Sequence, residues 1–162
     1  MLGMWLGPAV AATGARPREL ELLNLHTGES LRSRYWHDGL YLDEELARLS
    51  WLLRDHRTGA VRAIDPKLLD LLHALRHLTN AESPFHIVSG YRSPQTNAAL
   101  RKRGSGVARR SYHMLGRAVD VRIPRVDLAQ LRQAAVALKV GGVGYYRKGG
   151  YVHVDTGPVR FW

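Results

Sequence analysis

The sequence contains no cysteine. Disulfides and thiolate metal sites are therefore excluded, and any metal falls to His, Asp or Glu. Acidic residues are scarce too: 14 Asp and Glu stand against 24 Lys and Arg, a formal net charge of +10. That balance favours an anionic partner such as nucleic acid, a lipid surface or an acidic polymer. No zinc-finger or RNP signature accompanies the charge, so nucleic acid is not expected among the partners. No apolar run approaches the ~20 residues that a membrane-spanning helix needs, so no stable membrane insertion is expected. Nor is there an internal repeat or a composition break marking a second domain. A chain of 162 residues with ordinary apolar content can bury one core, and a single-domain monomer is expected.

The basic residues form no polybasic tail. Their densest cluster, Arg101-Lys102-Arg103 with Arg109-Arg110, flanks a Gly/Ser stretch before His113; it reads equally as a solvated loop or as a patch facing substrate. Met1 to Ala15 is apolar and uncharged, and Ala9-Val10-Ala11 has the small-x-small spacing of a signal-peptide cleavage site, although the basic n-region is missing. Residues 1–15 are read as an export-signal remnant or a disordered tail, and residues 16–162 as the folded domain.

Leu20 to Leu25 and Ser30 to Trp36 are strand-like runs around the turn-forming His26-Thr27-Gly28-Glu29, which predicts a hairpin. Asp43 is placed to cap a helix reaching about Arg57, with Leu46, Leu49 and Leu53 on its apolar face; Trp51 and Trp36 are assigned to the core. Asp65-Pro66 and Ser93-Pro94 each combine an N-cap residue with proline at the first helical position. They start helices that run to about Leu78 and Arg101. Phe85 to Ser89 and Ala118 to Ile123 are strand-like, and Asp127 caps a helix through Lys139. Gly141 to Tyr146 and Tyr151 to Asp155 form a terminal hairpin around Arg147-Lys148-Gly149-Gly150, while Gly104 to Arg110 is expected as a mobile loop. With helices early and most strands late, the fold class is α+β: one domain with a largely antiparallel sheet packed against helices.

The chemistry concentrates at His113 and Asp120, in Ser111-Tyr112-His113-Met114-Leu115-Gly116-Arg117-Ala118-Val119-Asp120, and at His153, in Tyr151-Val152-His153-Val154-Asp155. Two imidazoles and one carboxylate can hold a zinc ion and leave a fourth tetrahedral position open, the pattern of a catalytic rather than a structural site. A ligand on a loop and one on each of two strands converge when those strands are neighbours. Spacing alone is a weak signal, because eight histidines are present.

The flanking residues say more. Ser111-x-His113-x-x-Gly116-x-Ala118-x-Asp120, preceded by Ser89-Gly90-Tyr91-Arg92-Ser93, resembles the zinc peptidases of the M15 family. These include D-Ala-D-Ala carboxypeptidases, dipeptidases and murein endopeptidases, and they share a fold with the hedgehog signalling domain. The Leu23 to Glu29 opening, the Gly142-Val143-Gly144-Tyr145-Tyr146 run and the Val152 to Arg160 ending are similar to the MepK (YcbK-like) branch, and the likeness extends over about Glu19 to Trp162. The resemblance implies that His113, Asp120 and His153 are zinc ligands and Zn2+ the cofactor. It matches Arg92 to the arginine that binds the substrate carbonyl or carboxylate, where a guanidinium can steady an oxyanion; from the residues alone, Arg92 also reads as a strand-end ion pair.

Many members of the family carry a Glu three residues before the last zinc histidine, or a His two before it. Here Gly150 and Tyr151 stand at those positions. Asp155 shares a strand face with His153 and becomes the catalytic candidate, either as general base or as acceptor for the N–H of a zinc-bound imidazole. Tyr151 shares that face, to orient substrate or to pack. His26 lines the cleft or stabilises its turn, His86 is a strand histidine with a backbone partner, and Trp162 closes the C-terminal end against the sheet. The implied function is a zinc-dependent peptidoglycan hydrolase, a metallopeptidase acting on murein cross-link peptides between diaminopimelate residues of 3-3 cross-links. It is expected to be periplasmic or otherwise exported, with peptidoglycan peptides as partner. A D-alanyl-D-alanine carboxypeptidase or dipeptidase, and a non-catalytic zinc- or wall-binding module, are the alternatives.

Overall fold

Alternation along the strands decides which side of the sheet is dry. In a computed structural model that describes residues 16–104 and 106–162, Leu20 and Leu22 are buried along Arg18–Asn24 (β1), as are Val119 and Val121 along Ala118–Arg122 (β5). The readings for residues 1–15 lie outside the described residues. Ser30–His37 (β2) and Leu40–Tyr41 (β3) follow β1, Phe85–Ser89 (β4) precedes β5, and Gly142–Tyr146 (β6), Tyr151–Asp155 (β7) and Arg160–Phe161 (β8) end the chain. The strands form one sheet in the order β3-β2-β1-β4-β5-β7-β6-β8. Pairing is parallel between β1 and β4 and between β6 and β8, and antiparallel elsewhere, so the α+β class with a largely antiparallel sheet stands. Three strands precede the first helix, which corrects the expectation that helices come first.

The helices are Asp43–Leu52 (α1), Pro66–Leu78 (α2), Pro94–Lys102 (α3) and Leu128–Leu138 (α4). α1 packs against β2, α2 against β1, and α4 against β6 and β7. Leu68, Leu69, Leu72 and Leu75 of α2 are fully buried, each contributing about 1.5–3 kcal/mol by leaving water. Asp65, Ser93 and Asp127 accept backbone N–H groups as N-caps, as their sequence contexts predict. Among the described residues no helix is long and apolar enough to cross a membrane.

Three details differ from the sequence-based expectation. α1 ends at Leu52 rather than near Arg57, because the buried Asp55 side chain accepts the Arg57 N–H at 3.0 Å and the Ser93 N–H at 2.8 Å. That local bond competes with helix and turns the chain. Asp43 is the first helical residue rather than the cap; Leu42 holds the cap position without a side-chain bond. Trp51 is not core: it is 54% exposed and lies under the Arg54 guanidinium at 4.3 Å. Its place two residues past Leu49 puts it off the Leu46–Leu49–Leu53 stripe. Trp36 does pack against the core.

Candidate active site

Register builds the site. Asp120 and His153 are direct partners in the β5–β7 ladder, so their side chains leave the same face of the sheet. Val119, Val121, Val152 and Val154 leave the other face into the core. His113 arrives from a single turn of 3-10 helix, Tyr112–Leu115, just before β5. Ser111 Oγ accepts the His113 N–H at 3.3 Å, and Gly116 ends the turn at φ +67°. A Cβ at Gly116 would run into the Ala63 carbonyl, so both the backbone angle and the space demand glycine.

Three atoms meet at the centre, all on buried residues. His113 Nε2 lies 3.1 Å from His153 Nδ1 and 3.2 Å from Asp120 Oδ1, and His153 Nδ1 lies 2.8 Å from Asp120 Oδ1. The far side of each ring fixes its tautomer. His113 Nδ1 is 2.8 Å from the Gly90 carbonyl oxygen, which only accepts, so Nδ1 carries the proton and Nε2 a lone pair. His153 Nε2 is 3.0 Å from Asp155 Oδ2, so Nε2 donates and Nδ1 holds a lone pair. In their neutral forms the two imidazoles thus turn a lone pair each, beside a carboxylate oxygen, toward one point. Such a donor set fits a divalent cation of the zinc type held by nitrogen and oxygen.

The same convergence draws protons. Burial disfavours the charged form of His153, but hydrogen bonds to Asp120 and Asp155 outweigh it and raise its pKa. Burial instead lowers the pKa of His113, against the pull of Asp120. Asp120 is itself buried, yet the two imidazoles hold its carboxyl well below the usual range.

Asp155 is fully buried beside this cluster. Its Oδ1 accepts from Gly142 N–H at 3.0 Å, Gly157 N–H at 2.8 Å and Arg160 Nη1 at 3.3 Å. Its Oδ2 accepts from His153 Nε2 and, at 2.6 Å, from Arg160 Nη2. Burial opposes ionisation, but these donors hold the Asp155 carboxyl far below its ordinary value. On the other flank, buried Arg92 places Nη2 3.3 Å from Ser89 Oγ and 3.6 Å from Asp120 Oδ2, while its Nε has no partner among the described residues. Its backbone N–H donates to the His113 carbonyl at 3.2 Å.

A cleft of about 370 Å³ opens over the cluster, with Arg92, Arg110, Tyr151 and Arg160 on its walls. Asp120 is the one carboxylate among its described lining residues. Of the basic cluster singled out in the sequence, Arg110 reaches the cleft, whereas Arg101, Lys102, Arg103 and Arg109 are exposed without lining it. Tyr151 stacks on Tyr146 at 4.7 Å. Burial and the nearby Asp120 carboxylate push its hydroxyl up to about 12, so it stays a neutral donor.

His26 does not line this cleft; its Nε2 lies 2.9 Å from the Val88 carbonyl and its ring stacks on His56 at 3.8 Å. Sequence reasoning gave Arg160, Tyr146 and Trp162 no place in the cleft, yet all three line it. Trp162 lies flat over Gly144, where a Cβ would come within 2.7 Å of the indole, and its Nε1 donates to Tyr146 Oη at 3.0 Å. The sequence signals were Arg160's place in the Val152 to Arg160 ending and Tyr146's place in the Gly142 to Tyr146 run.

A family model described as peptidoglycan L,D-endopeptidase MepK matches residues 12–162. The peptidoglycan L,D-endopeptidase MepK of Escherichia coli strain K12 is 44% identical over 167 residues, covering 99% of this chain and 92% of its own. The probable peptidoglycan L,D-endopeptidase MepK of Haemophilus influenzae is 41% identical over 150 residues, covering 91% and 80%. The crystal structure of Serratia marcescens L-Ala D-Glu endopeptidase ChiX overlaps 47% of this chain and 62% of its own, at 25% identity and a TM-score of 0.38. With residues 12–162 matched and a relative 44% identical over nearly the whole chain, the chain belongs to the MepK family of M15 peptidases.

Proposed function

We propose that the protein is a zinc-dependent murein endopeptidase that cleaves the bond between diaminopimelate residues in 3-3 cross-links, and that it acts in the periplasm or otherwise outside the cytoplasm, where murein lies. The observation that carries this reading is the meeting of three ligand atoms, His113 Nε2, Asp120 Oδ1 and His153 Nδ1, in a cleft walled by arginines. These three residues would hold the zinc ion. The chemistry it supplies when bound is polarisation of a carbonyl and activation of water at neutral pH.

The chain's own groups do the rest. Arg92 keeps its charge despite burial and has an unpartnered Nε; its role is to hold the scissile carbonyl oxygen as negative charge develops there. Asp155 has both oxygens engaged by five N–H contacts and no exposed surface. We assign it to fixing the tautomer and orientation of His153 rather than to moving a substrate proton. Tyr151 and Tyr146 form the aromatic wall against which the cross-link peptide lies.

Digestion of defined muropeptides with and without chelator tests the reading. Dimers with 3-3 cross-links should be converted to monomers, cleavage should stop with chelator, and zinc should restore it. Release of terminal alanine with dimers left intact would make the protein a carboxypeptidase. A zinc-loaded protein that leaves every muropeptide untouched would make it a binding module. His113→Ala or His153→Ala should lose zinc and activity together.

A further inference from the structure

Arg160 lines the cleft as a guanidinium that the protein holds in place without using all of its donors. Its Nη1 donates to Asp155 Oδ1 at 3.3 Å and to the Pro158 carbonyl at 3.0 Å, and its Nη2 to Asp155 Oδ2 at 2.6 Å. A guanidinium has five N–H groups, so two remain: the Nε hydrogen and one on Nη2. The group lies over two rings, 5.1 Å from the centre of Tyr112 and 5.1 Å from that of Trp162, and its side chain is 40% exposed. Both rings line the same cleft. This is a held guanidinium, fixed by a buried carboxylate and flanked by two aromatic rings, with two donors that no group of the described residues takes up.

Its position relative to the reacting centre is equally defined. Asp155 Oδ2 accepts from Arg160 on one side and from His153 Nε2 at 3.0 Å on the other. The guanidinium is thus two hydrogen bonds and one imidazole ring away from the meeting point of the three donor atoms. Arg92 flanks that point from the Asp120 side, and Arg160 from the His153 side. Arg92 and Arg160 line one cleft, so a peptide bound across it can place its scissile carbonyl oxygen at Arg92 and a group on a neighbouring residue at Arg160. We propose that Arg160 is a carboxylate-binding subsite that selects peptides carrying a free α-carboxylate on the residue whose nitrogen is released. The inference rests on the endopeptidase reading above and adds to it the part of the substrate that is recognised. In a 3-3 cross-link the released amine belongs to a D-centre bearing such a carboxylate.

The test pairs two substrates with two proteins. Cross-linked dipeptide substrates are made with that carboxylate either free or converted to the carboxamide, and kcat/KM is measured for the wild type and for Arg160→Gln. The wild type should prefer the free acid by roughly tenfold to a hundredfold, the range of a hydrogen bond between charged groups. In Arg160→Gln the preference should vanish, with Arg160→Lys retaining part of it. Because the preference is a ratio within one protein, zinc loss or partial unfolding in a variant does not distort it. Binding of the released product as acid or amide, followed by calorimetry with zinc content measured in parallel, gives a readout independent of turnover. A preference that persists in Arg160→Gln, or wild-type cleavage of acid and amide at equal rates, overturns the Arg160 assignment alone. A wild type that cuts neither substrate overturns the endopeptidase reading, and product binding then still decides whether Arg160 takes the carboxylate.

Discussion

Replacing Asp155 by Asn keeps the side chain's shape and exchanges one acceptor oxygen for an NH2 donor. In the native protein both oxygens face only N–H groups: Gly142, Gly157 and Arg160 Nη1 on Oδ1, and His153 Nε2 and Arg160 Nη2 on Oδ2. The two backbone donors cannot turn away, so the amide oxygen takes the Oδ1 place and the NH2 confronts His153. His153 relieves the conflict by shifting its proton from Nε2 to Nδ1, the atom that faces His113 and Asp120. Metal and proton then compete for the same lone pair. Loss of such an outer partner typically weakens metal binding 10–100-fold, or about 1.4–2.7 kcal/mol. The ion pair with Arg160 is lost as well. Breaking a fully buried pair costs ~3–5 kcal/mol, but solvent reaches Arg160, whose side chain is 40% exposed, so the effect on stability falls short of that range. Titration against a chromophoric zinc chelator at pH 7 should show the weaker affinity, with circular dichroism unchanged and turnover recovering as zinc is raised. An Asp155→Asn protein with wild-type zinc affinity and turnover a hundredfold lower would refute this reasoning and make Asp155 the general base.

Arg92→Lys keeps the charge but loses the planar fork; turnover of a cross-linked substrate should fall about a hundredfold at unchanged zinc content, and a wild-type kcat/KM would remove Arg92 from the site. Gly90→Ala drives a Cβ into the Leu53 carbonyl, which should cost about 2–3 kcal/mol in urea unfolding; an unchanged midpoint would show that the backbone there yields freely. Burial, with help from Arg57 and His26, pulls the His56 imidazole down to about 4, against about 6.5 when unfolded. Between those values the unfolded chain binds the extra proton, so stability falls as pH drops from about 6.5 toward 4. His56→Gln should flatten that slope in urea melts, and an unchanged slope would assign the loss to other groups.

Much of this architecture was legible because its signals are local. Asp65-Pro66 and Ser93-Pro94 start α2 and α3 where cap chemistry requires, and the turn at Asn24 to Glu29 joins β1 to β2. That turn is pinned by Asn24, whose Oδ1 accepts from His26 N–H at 2.9 Å while its Nδ2 donates to Leu52 at 2.9 Å. The end of α1 was not legible, because Asp55 acts through Ser93, 38 residues away in the chain. The parallel pairing of β1 with β4 is hidden for the same reason: a strand's pattern shows which face is buried, not which neighbour it meets. His113, Asp120 and His153 could be named from motif, but their tautomers could not. Those depend on Gly90 and Asp155, and Arg160 enters only through Asp155.

Those outer partners also make the electrostatics of the cleft one-sided. Asp155 is balanced by Arg160 at 2.6 Å, and Asp120 is approached by Arg92 at 3.6 Å. With two carboxylates matched against two guanidiniums, the frame around the three donor atoms is close to neutral before any cation is added. A divalent ion held there adds its charge to a frame with no spare carboxylate, while Arg110 on the rim adds another positive group. In a partly buried site, where charges interact several times more strongly than in water, that surplus favours anionic groups at both ends of a bound peptide bond: the oxyanion that develops at the carbonyl and a carboxylate fixed on the neighbouring residue. The chain's net charge of +10 therefore matters most where it is least balanced. What the composition indicated only as a preference for anionic partners would become, on the proposed function, a division of labour between Arg92 and Arg160 inside the cleft.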